Sequence, residues 1–284
     1  MDTAFQNAYR QEFVIGFEQH QSLLRDTTTT DTIIKGQTCI FLVADSNNAK
    51  AKTRGTNGLI PARADNNNQY TCTLEEWHDL VRKTGYNIFA SQGDQRQIMQ
   101  MTSMGVVNRK MDEQIITELA TGTNDTGAAV VGGVNLFTKA RVILGNNAIP
   151  WDGNVTCVVT PAFLGYLEQA PEFAKASYVD LRPYAGSENA SFKDKPPQVY
   201  RWRNCWIIEH PNLPGAGTAA EQCFMYHKSA IGHGMDVKGL QTPVGYDDEQ
   251  DYSWARVSAY MNAKLLQNSG VVVINHDGSA YAAS

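Results

Sequence analysis

Residues 94–120 read DQRQIMQMTSMGVVNRKMDEQIITELA, and this stretch decides the fold. Ile98, Met101, Met104, Val107, Met111, Ile115 and Leu119 recur every three or four positions, the spacing of one helix face. Ser91 or Asp94 can cap the start, and Gly122 lies just past the end. At ~1.5 Å per residue the helix spans roughly 40 Å, with Gly105 as its expected weak point or bend. Met99, Met101, Met104 and Met111 read as adaptable packing. Arg96, Arg109, Lys110, Asp112, Glu113 and Glu118 read as a solvated or intersubunit face.

Upstream, apolar Cys39–Val43 leads into a polar segment from Asp45 to Gln69. That segment carries Lys50, Lys52, Arg54 and Arg63, with no acidic residue between Asp45 and Asp65. Strand-like runs at Gln37–Ala44 and Gln69–Val81 flank turn chemistry at Gly55, Asn57-Gly58 and Pro61. The simplest joining is a long antiparallel hairpin with a basic tip; a disordered surface loop is the plainer alternative. Apart from Leu59 and Ile60 the tip has no large apolar residue, and it lacks the interleaved aromatics of a nucleic-acid platform. It suits acidic groups on a neighbour. A hairpin projecting beside a long helix buries little alone, which points to assembly before chemistry. Further upstream, Phe5, Tyr9, Phe13, Phe17 and Leu24 lie mostly four apart. They predict a helix over residues 3–26, weakened at Gly16 by about 1 kcal/mol. It packs on its own domain or lies across an adjacent subunit as an arm. The run Thr27–Thr30 reads as a hinge, which favours the arm.

Downstream, 121–133 is rich in Gly, Ala and Thr and reads as a linker. A helix over Asn135–Leu144 and a buried strand over Val155–Val159 follow. Thr160-Pro161 is a helix start with Thr as cap and Pro at the first position, before Phe163, Leu164 and Leu167. Residues 183–197 are loop-like. Val199–Glu209 predicts one strand bearing Trp202 and Trp206, Cys223–Tyr226 a short strand, and Lys228–Met235 a short helix or turn. Tyr252–Lys264 and Val271–Asn275 predict antiparallel strands joined through Gln267–Gly270. The fold class is α+β: strands from both ends complete one sheet around the long helix, and the middle is an inserted second domain.

The 284 residues suffice for one or two domains, and 42% hydrophobic with 19% charged is ordinary for a globular chain. No apolar run approaches the ~20 residues of a membrane span. Met1–Arg10 has no basic-then-apolar signal, so secretion is not expected, and the sequons at Asn124, Asn154 and Asn189 read as chance. Five cysteines, an odd number with no CxxC pair, fit buried thiols in a reduced compartment. The net charge of -5 argues against a nucleic-acid binder by charge. Phosphate-loop and dinucleotide fingerprints are missing; Leu213–Gly217 is Gly-rich but lacks a following Lys-Ser/Thr. The six histidines form no HExxH, and no GxSxG elbow is present. No catalytic residue, metal or cofactor is expected. Asp247, Asp248, Glu249 and Asp251 form an acidic cluster: a solvated turn, a patch for a basic neighbour such as another copy's hairpin tip, or an acid–base or cation site.

Three stretches carry a resemblance: NIFASQGDQRQIMQMTSMGVVNRKMDEQIITEL from Asn87, LPGAGTAAEQCFMYHKSAIGHG from Leu213, and KLLQNSGVVVINHDGSA from Lys264. Together with the order of parts, they resemble the major capsid proteins of tailed bacteriophages (Caudoviricetes) with the Hong Kong 97-like fold. The resemblance implies an N-terminal arm at 1–35, an extended loop at 36–74, and a peripheral domain with its spine helix at 75–125. An axial domain at 126–244 and C-terminal strands of the peripheral domain at 245–284 complete the layout. It also implies hexamers and pentamers forming an icosahedral shell around packaged double-stranded DNA. A portal, possible decoration proteins and no membrane partner follow, with the chain in the host cytoplasm before assembly and in the virion after. No charged coiled-coil front segment serves as a built-in scaffold, so a separate scaffolding protein is expected. Some family members crosslink a loop lysine to a neighbour's asparagine; Lys50 and Lys52 lie in the corresponding loop and Asn268 in a C-terminal turn, but nothing in the sequence supplies the assisting pocket. Two rival readings are a cellular nanocompartment shell of the same fold and an α+β hydrolase using the acidic cluster with a histidine.

Overall fold

The structure is a computed structural model and describes residues 19, 21–33, 35–46, 49–63, 66–90, 95–174, 179–180 and 199–281. A 3-10 turn at Arg25–Thr27 precedes β1 (Thr29–Ile33), β2 (Thr38–Asp45), β3 (Asn66–Thr73) and β4 (Glu75–Thr84). A short α1 (Gly85–Ala90) and the long α2 (Gln95–Ala120) follow. Then come β5 (Val130–Val131), α3 (Val134–Asn146), β6 (Val155–Val159), α4 (Pro161–Gln169), α5 (Pro171–Ala174) and β7 (Val179–Asp180). The rest is strand: β8 (Val199–Trp202), β9 (Cys205–Glu209), β10 (Glu221–His227), β11 (Ile231–Asp236), β12 (Val244–Asp247), β13 (Tyr252–Leu265) and β14 (Val271–Asp277).

The strands form two main sheets and a separate hairpin. The first sheet has the order β1-β11-β13-β12, with β4 also paired to β13. Along β13, Ala255, Val257, Ala259, Met261 and Ala263 are buried on alternate positions, the period of a strand with one covered face. Val257, Ala259 and Met261 pack with Met235 of β11 and with Val107 and Met111 of α2. The second sheet has the order β5-β14-β10-β6-β9-β8-β7. Its central β6 is buried at every position, as a strand covered on both faces must be. On one side Phe137 of α3 and Phe173 of α5 close around the Trp202 ring, at centroid distances of 4.8 and 5.4 Å. Thr160 caps α4 as expected, its Oγ1 accepting from the Phe163 N–H at 3.2 Å with Pro161 in the first position. All five cysteines are buried free thiols, and among the described residues no helix is long and apolar enough to cross a membrane.

Several expectations are corrected. The run Gln69–Val81 is two strands divided at Leu74: β3 pairs with β2, and β4 pairs with β13. The expected strand Val199–Glu209 is a tight hairpin, turned at Arg203 and Asn204 with φ of 49° and 63°. Lys228–Met235 is a 3-10 turn followed by strand β11. Thr27–Thr30 is no hinge, because β1 starts at Thr29 and pairs in parallel with β11. In α2 the first half turns a different face inward: Met101 is 41% exposed, whereas Met99, Ser103 and Gly105 are buried. That half is docked by polar contacts, with Arg96 Nη2 donating to Ser253 Oγ at 3.1 Å and Gln100 Nε2 to the Thr242 carbonyl at 3.2 Å.

The largest correction is topological. β13 and β14 are not a hairpin; β13 lies in the first sheet and β14 in the second. The chain crosses from β10 to β11 at the Lys228–Ala230 turn and back from β13 to β14 at the Asn268–Gly270 turn. The two crossings are stitched together. The N–H groups of Leu266 and Gln267 both donate to the Ala230 carbonyl, at 2.9 and 3.1 Å. A Cβ on Gly270 would stand 2.8 Å from the Ala230 Cβ. Strand signals are local, but which sheet a strand joins is set by the faces it buries, and short-range pattern does not encode that.

Candidate assembly surfaces

The β2–β3 hairpin is built in two ways along its length. At its base, Cys39 and Phe41 of β2 point inward with Cys72 of β3, while Ile40 and Leu42 point outward. The inward side chains seat on β11 where the chain has Gly232 and Gly234. A Cβ at 232 would lie 2.8 Å from the Phe41 ring, and one at 234 would lie 3.0 Å from the Cys39 Cβ. The glycines let a second layer approach the strand backbone. The Cys39 thiol donates to Asp31 Oδ2 at 3.1 Å. Burial pushes the Cys39 thiol up to about 12 and the Cys72 thiol up to about 11, so both are protonated packing groups.

The outward face of β2 and every described position between the two strands are open within the subunit. Leu42 is 79% exposed, and Leu59 and Ile60 at the tip are 74% and 70% exposed. The tip is shaped by a small turn: the Gly58 N–H donates to the Gly55 carbonyl at 2.9 Å, and the Gly55 N–H to the Leu59 carbonyl at 3.0 Å. Lys50, Lys52, Arg54 and Arg63 are all exposed along this segment.

The acidic cluster sits on the turn joining β12 to β13, and half of it is consumed by the turn itself. Asp247 Oδ1 accepts the N–H groups of Glu249 and Gln250 at 3.0 and 3.2 Å. The Gln250 N–H is the main cause that holds the Asp247 carboxyl below its ordinary value, with the Tyr252 hydroxyl next. Asp251 has φ of 48° and accepts from the Tyr246 hydroxyl at 2.5 Å. Asp248 and Glu249 remain exposed. Within one subunit no hydrogen bond or ion pair among the described residues joins this turn to Lys50, Lys52 or Arg54. Nor does any among the described residues pair the cluster with a histidine.

Phe5, Tyr9, Phe13 and Phe17 lie outside the described residues. The segment after them is held by a group that the sequence placed on a solvated or intersubunit face. Asp112 of α2 is 1% exposed and accepts from Ser22 Oγ at 2.6 Å and from the N–H groups of Leu23 and Leu24 at 3.0 and 3.2 Å. Gln19 Nε2 also donates to it, and His210 Nε2 lies 3.4 Å from Oδ2. Leu24 is fully buried in the core of the second sheet. Residues 22–24 are therefore clamped to α2 of their own chain. The signal for this was absent, since His210 stands 98 positions away.

A second buried network was equally invisible. Glu221 accepts from Thr160 Oγ1 at 2.6 Å and from the Gly217 N–H at 2.6 Å, and His276 Nδ1 lies 2.7 Å from its Oε2. The His276 ring is edge-on to Phe163 and Tyr166, and Thr160, Glu221 and His276 are buried. It ties β14, the α4 cap and the glycine-rich loop together, and Glu221 also lines a surface pocket with Pro161, Gly165 and Gly217. Asn268 is committed as well: its Oδ1 accepts from the Thr123 N–H at 2.9 Å and its Nδ2 donates to Thr123 Oγ1 at 2.6 Å. Among the described residues no group of three or more His, Cys, Asp or Glu is placed to hold a metal.

Comparison with known proteins is consistent with surfaces made for assembly. No curated protein matches the chain. Solved structures do, over nearly all of it. The capsid of the cyanophage P-SCSP1u is 12% identical with a TM-score of 0.69, covering 96% of this chain and 93% of its own. The capsid of a native GTA particle gives 12% and 0.71, covering 96% and 95%. The capsid of Ralstonia phage GP4 gives 13% and 0.67, covering 97% and 95%. The fold they share is the Hong Kong 97-like one. A family model described as phage capsid protein matches residues 1–278, and the chain belongs to that family.

Proposed function

We propose that this phage capsid protein is a major capsid protein that self-assembles through hexamers and pentamers into the icosahedral shell around a tailed phage's double-stranded DNA. The observation that carries the reading is the half-dressed hairpin: its base is locked on Gly232 and Gly234, while Leu42, Leu59 and Ile60 are left to solvent. An isolated subunit gains nothing from such a projection, whereas a neighbour can cover it. On this reading Lys50, Lys52, Arg54 and Arg63 meet the Asp247, Asp248, Glu249 and Asp251 turn of an adjacent copy, setting register more than strength. Phe5, Tyr9, Phe13 and Phe17 line an arm across a neighbour. The arm, extended loop, peripheral and axial divisions at 1–35, 36–74, 75–125 with 245–284, and 126–244 serve as working boundaries. The subunit waits in the host cytoplasm, meets a scaffolding protein and a portal, and ends in the virion with room for a decoration protein. A lysine–asparagine crosslink at Asn268 would have to break its two bonds to Thr123, so the reading does not include one.

The test is deletion of residues 46–66. The expected product is a folded subunit, with the thermal transition of the full chain, that forms no closed particle in negative-stain images. Normal particles from the deleted chain would refute the reading. Particle contents, a genome against a cargo protein, separate a phage shell from a cellular compartment.

A further inference from the structure

The β8–β9 hairpin of the second sheet carries opposite charge at its two ends. At the turn end, three guanidiniums each stack on an indole. Arg203 lies 4.5 Å from the Trp202 ring centroid, Arg141 lies 5.0 Å from Trp151, and Arg201 lies 5.2 Å from Trp206. The group is one cluster, because Trp151 Nε1 donates to the Arg203 carbonyl at 2.7 Å and Asn204 Nδ2 to the Trp151 carbonyl at 3.1 Å. Arg201 and Arg203 are exposed. Among the described residues none of the three meets a carboxylate within ion-pair distance. The adjacent Asp152 is occupied: it accepts the Asn154 N–H at 3.0 Å and Nδ2 at 2.9 Å and faces His227 at 3.3 Å. Stacking fixes the planar forks in advance, so little side-chain entropy remains to be lost when an anion arrives.

At the other end Glu209 closes β9, and Glu168 lies near the end of α4 with the Tyr200 hydroxyl donating to it at 3.3 Å. Neither has a cation partner among the described residues. Burial, and then the charge of Glu168, raises the Glu209 carboxyl above its ordinary value, so the two acids crowd each other. From the Arg203 turn to Glu209 the strand covers roughly 20 Å at ~3.3 Å per residue. Two-fold pairing of either end with itself would set like charges together. Unlike ends meet either in an antiparallel two-fold pair, which stops at two copies, or head to tail, which closes into a ring when the rotation allows and is the arrangement the shell reading calls for.

We propose that the arginine–tryptophan end of this hairpin in one copy docks on the Glu168–Glu209 end of the next, joining second-sheet domains head to tail in a ring. This rests on the shell reading above and names the chemistry of one contact within it. The experiment compares the unchanged chain with R201E/R203E, E168R/E209R and the fourfold variant by sedimentation velocity and negative stain at fixed concentration. Near-ultraviolet circular dichroism reports whether each subunit is folded. Each double reversal is expected to lower the assembled fraction by about tenfold, and the fourfold variant, with complementarity restored in reverse, to recover it. Assembly of a double variant like the unchanged chain overturns the contact. So does a fourfold variant that stays as poor as the doubles, which would assign the arginines to another partner such as a phosphodiester. An unchanged chain that forms no oligomer removes the shell reading and this contact with it.

Discussion

The two sheets are finished to different degrees. In the second, β6 is buried at all five positions, β10 is buried at six of seven, and Phe224, Val158 and Ile274 are fully enclosed. In the first, α2 covers one face, while β4 alternates between exposed and half-covered positions over its ten residues. The β2–β3 hairpin that leaves its edge ends in open loop. One part of the chain is enclosed within the single subunit, and the other leaves faces open that the proposed assembly would cover. Substitutions in the two parts should therefore separate subunit stability from assembly.

The largest effect on the subunit is expected in the finished sheet. Phe224 has no exposed surface, and Phe224→Ala should cost about 3–5 kcal/mol in urea unfolding of the monomer. A loss below about 1 kcal/mol would mean that the second sheet is not where stability resides. Next stands the clamp on the spine helix. Asp112→Ala leaves His210 and the Leu23 and Leu24 N–H groups without their acceptor. A cost of about 3 kcal/mol follows, with faster amide exchange at 23 and 24. Unchanged exchange there would show that the carboxylate does not hold the entering segment.

His233 of β11 should make subunit stability pH-dependent. Its ring is fully buried, neither nitrogen has a hydrogen-bond partner among the described residues, and burial is the first cause of its depression from 6.5 to about 4, with the Arg25 charge second. Asp112 opposes the shift. The native state keeps the ring neutral while the unfolded chain protonates it, so this contribution is complete above about pH 6.5 and is lost as pH falls toward 4. The loss reaches about 3 kcal/mol at most. His233→Leu should flatten the stability profile across that window, and an unaltered slope would remove His233 as its source. A smaller effect is expected where the hairpin seats on β11 of the first sheet. Gly234→Ala places a methyl 3.0 Å from the Cys39 Cβ, and should cost about 1–3 kcal/mol while tilting the hairpin enough to impair particle formation.

What the sequence yielded follows the same division. Helix α2, strand β6, the Thr160 cap and the reach of the hairpin were legible because each is written in neighbouring residues. The Asp112–His210 clamp and the Glu221–His276 pair were not, because their members are 98 and 55 positions apart and look like ordinary polar residues until folded. Gly232-His233-Gly234 did carry a readable sign, since glycine inside a strand marks a close approach. The crossing of β13 and β14 into different sheets was hidden for a further reason. The pairings of β13 with β4 and β11 and of β14 with β10 settle it only in the folded chain, and the Ala230 and Gly270 contacts mark where the exchange is made. The basic tip was readable as chemistry but not as a contact, because the partner proposed for it, another copy's acidic turn, is not a feature of one chain.

The smallest effect on the subunit should be the most damaging to the shell. Leu42 touches solvent on an outward face, so Leu42→Ser removes no buried contact within its own chain. Monomer stability is expected to change by no more than about 0.5 kcal/mol. If a neighbour covers that face, the same substitution forfeits on the order of 1.5–3 kcal/mol at each copy of the contact. A shell repeats the contact in every subunit, so even this modest loss should shift the balance from particles to free subunits and raise the concentration needed to assemble. Measuring that threshold beside the monomer unfolding curve separates the two quantities. An unchanged threshold would show that the outward face of the hairpin stays bare in the assembled shell, and the division between finished and unfinished parts would then have to be drawn at the tip alone.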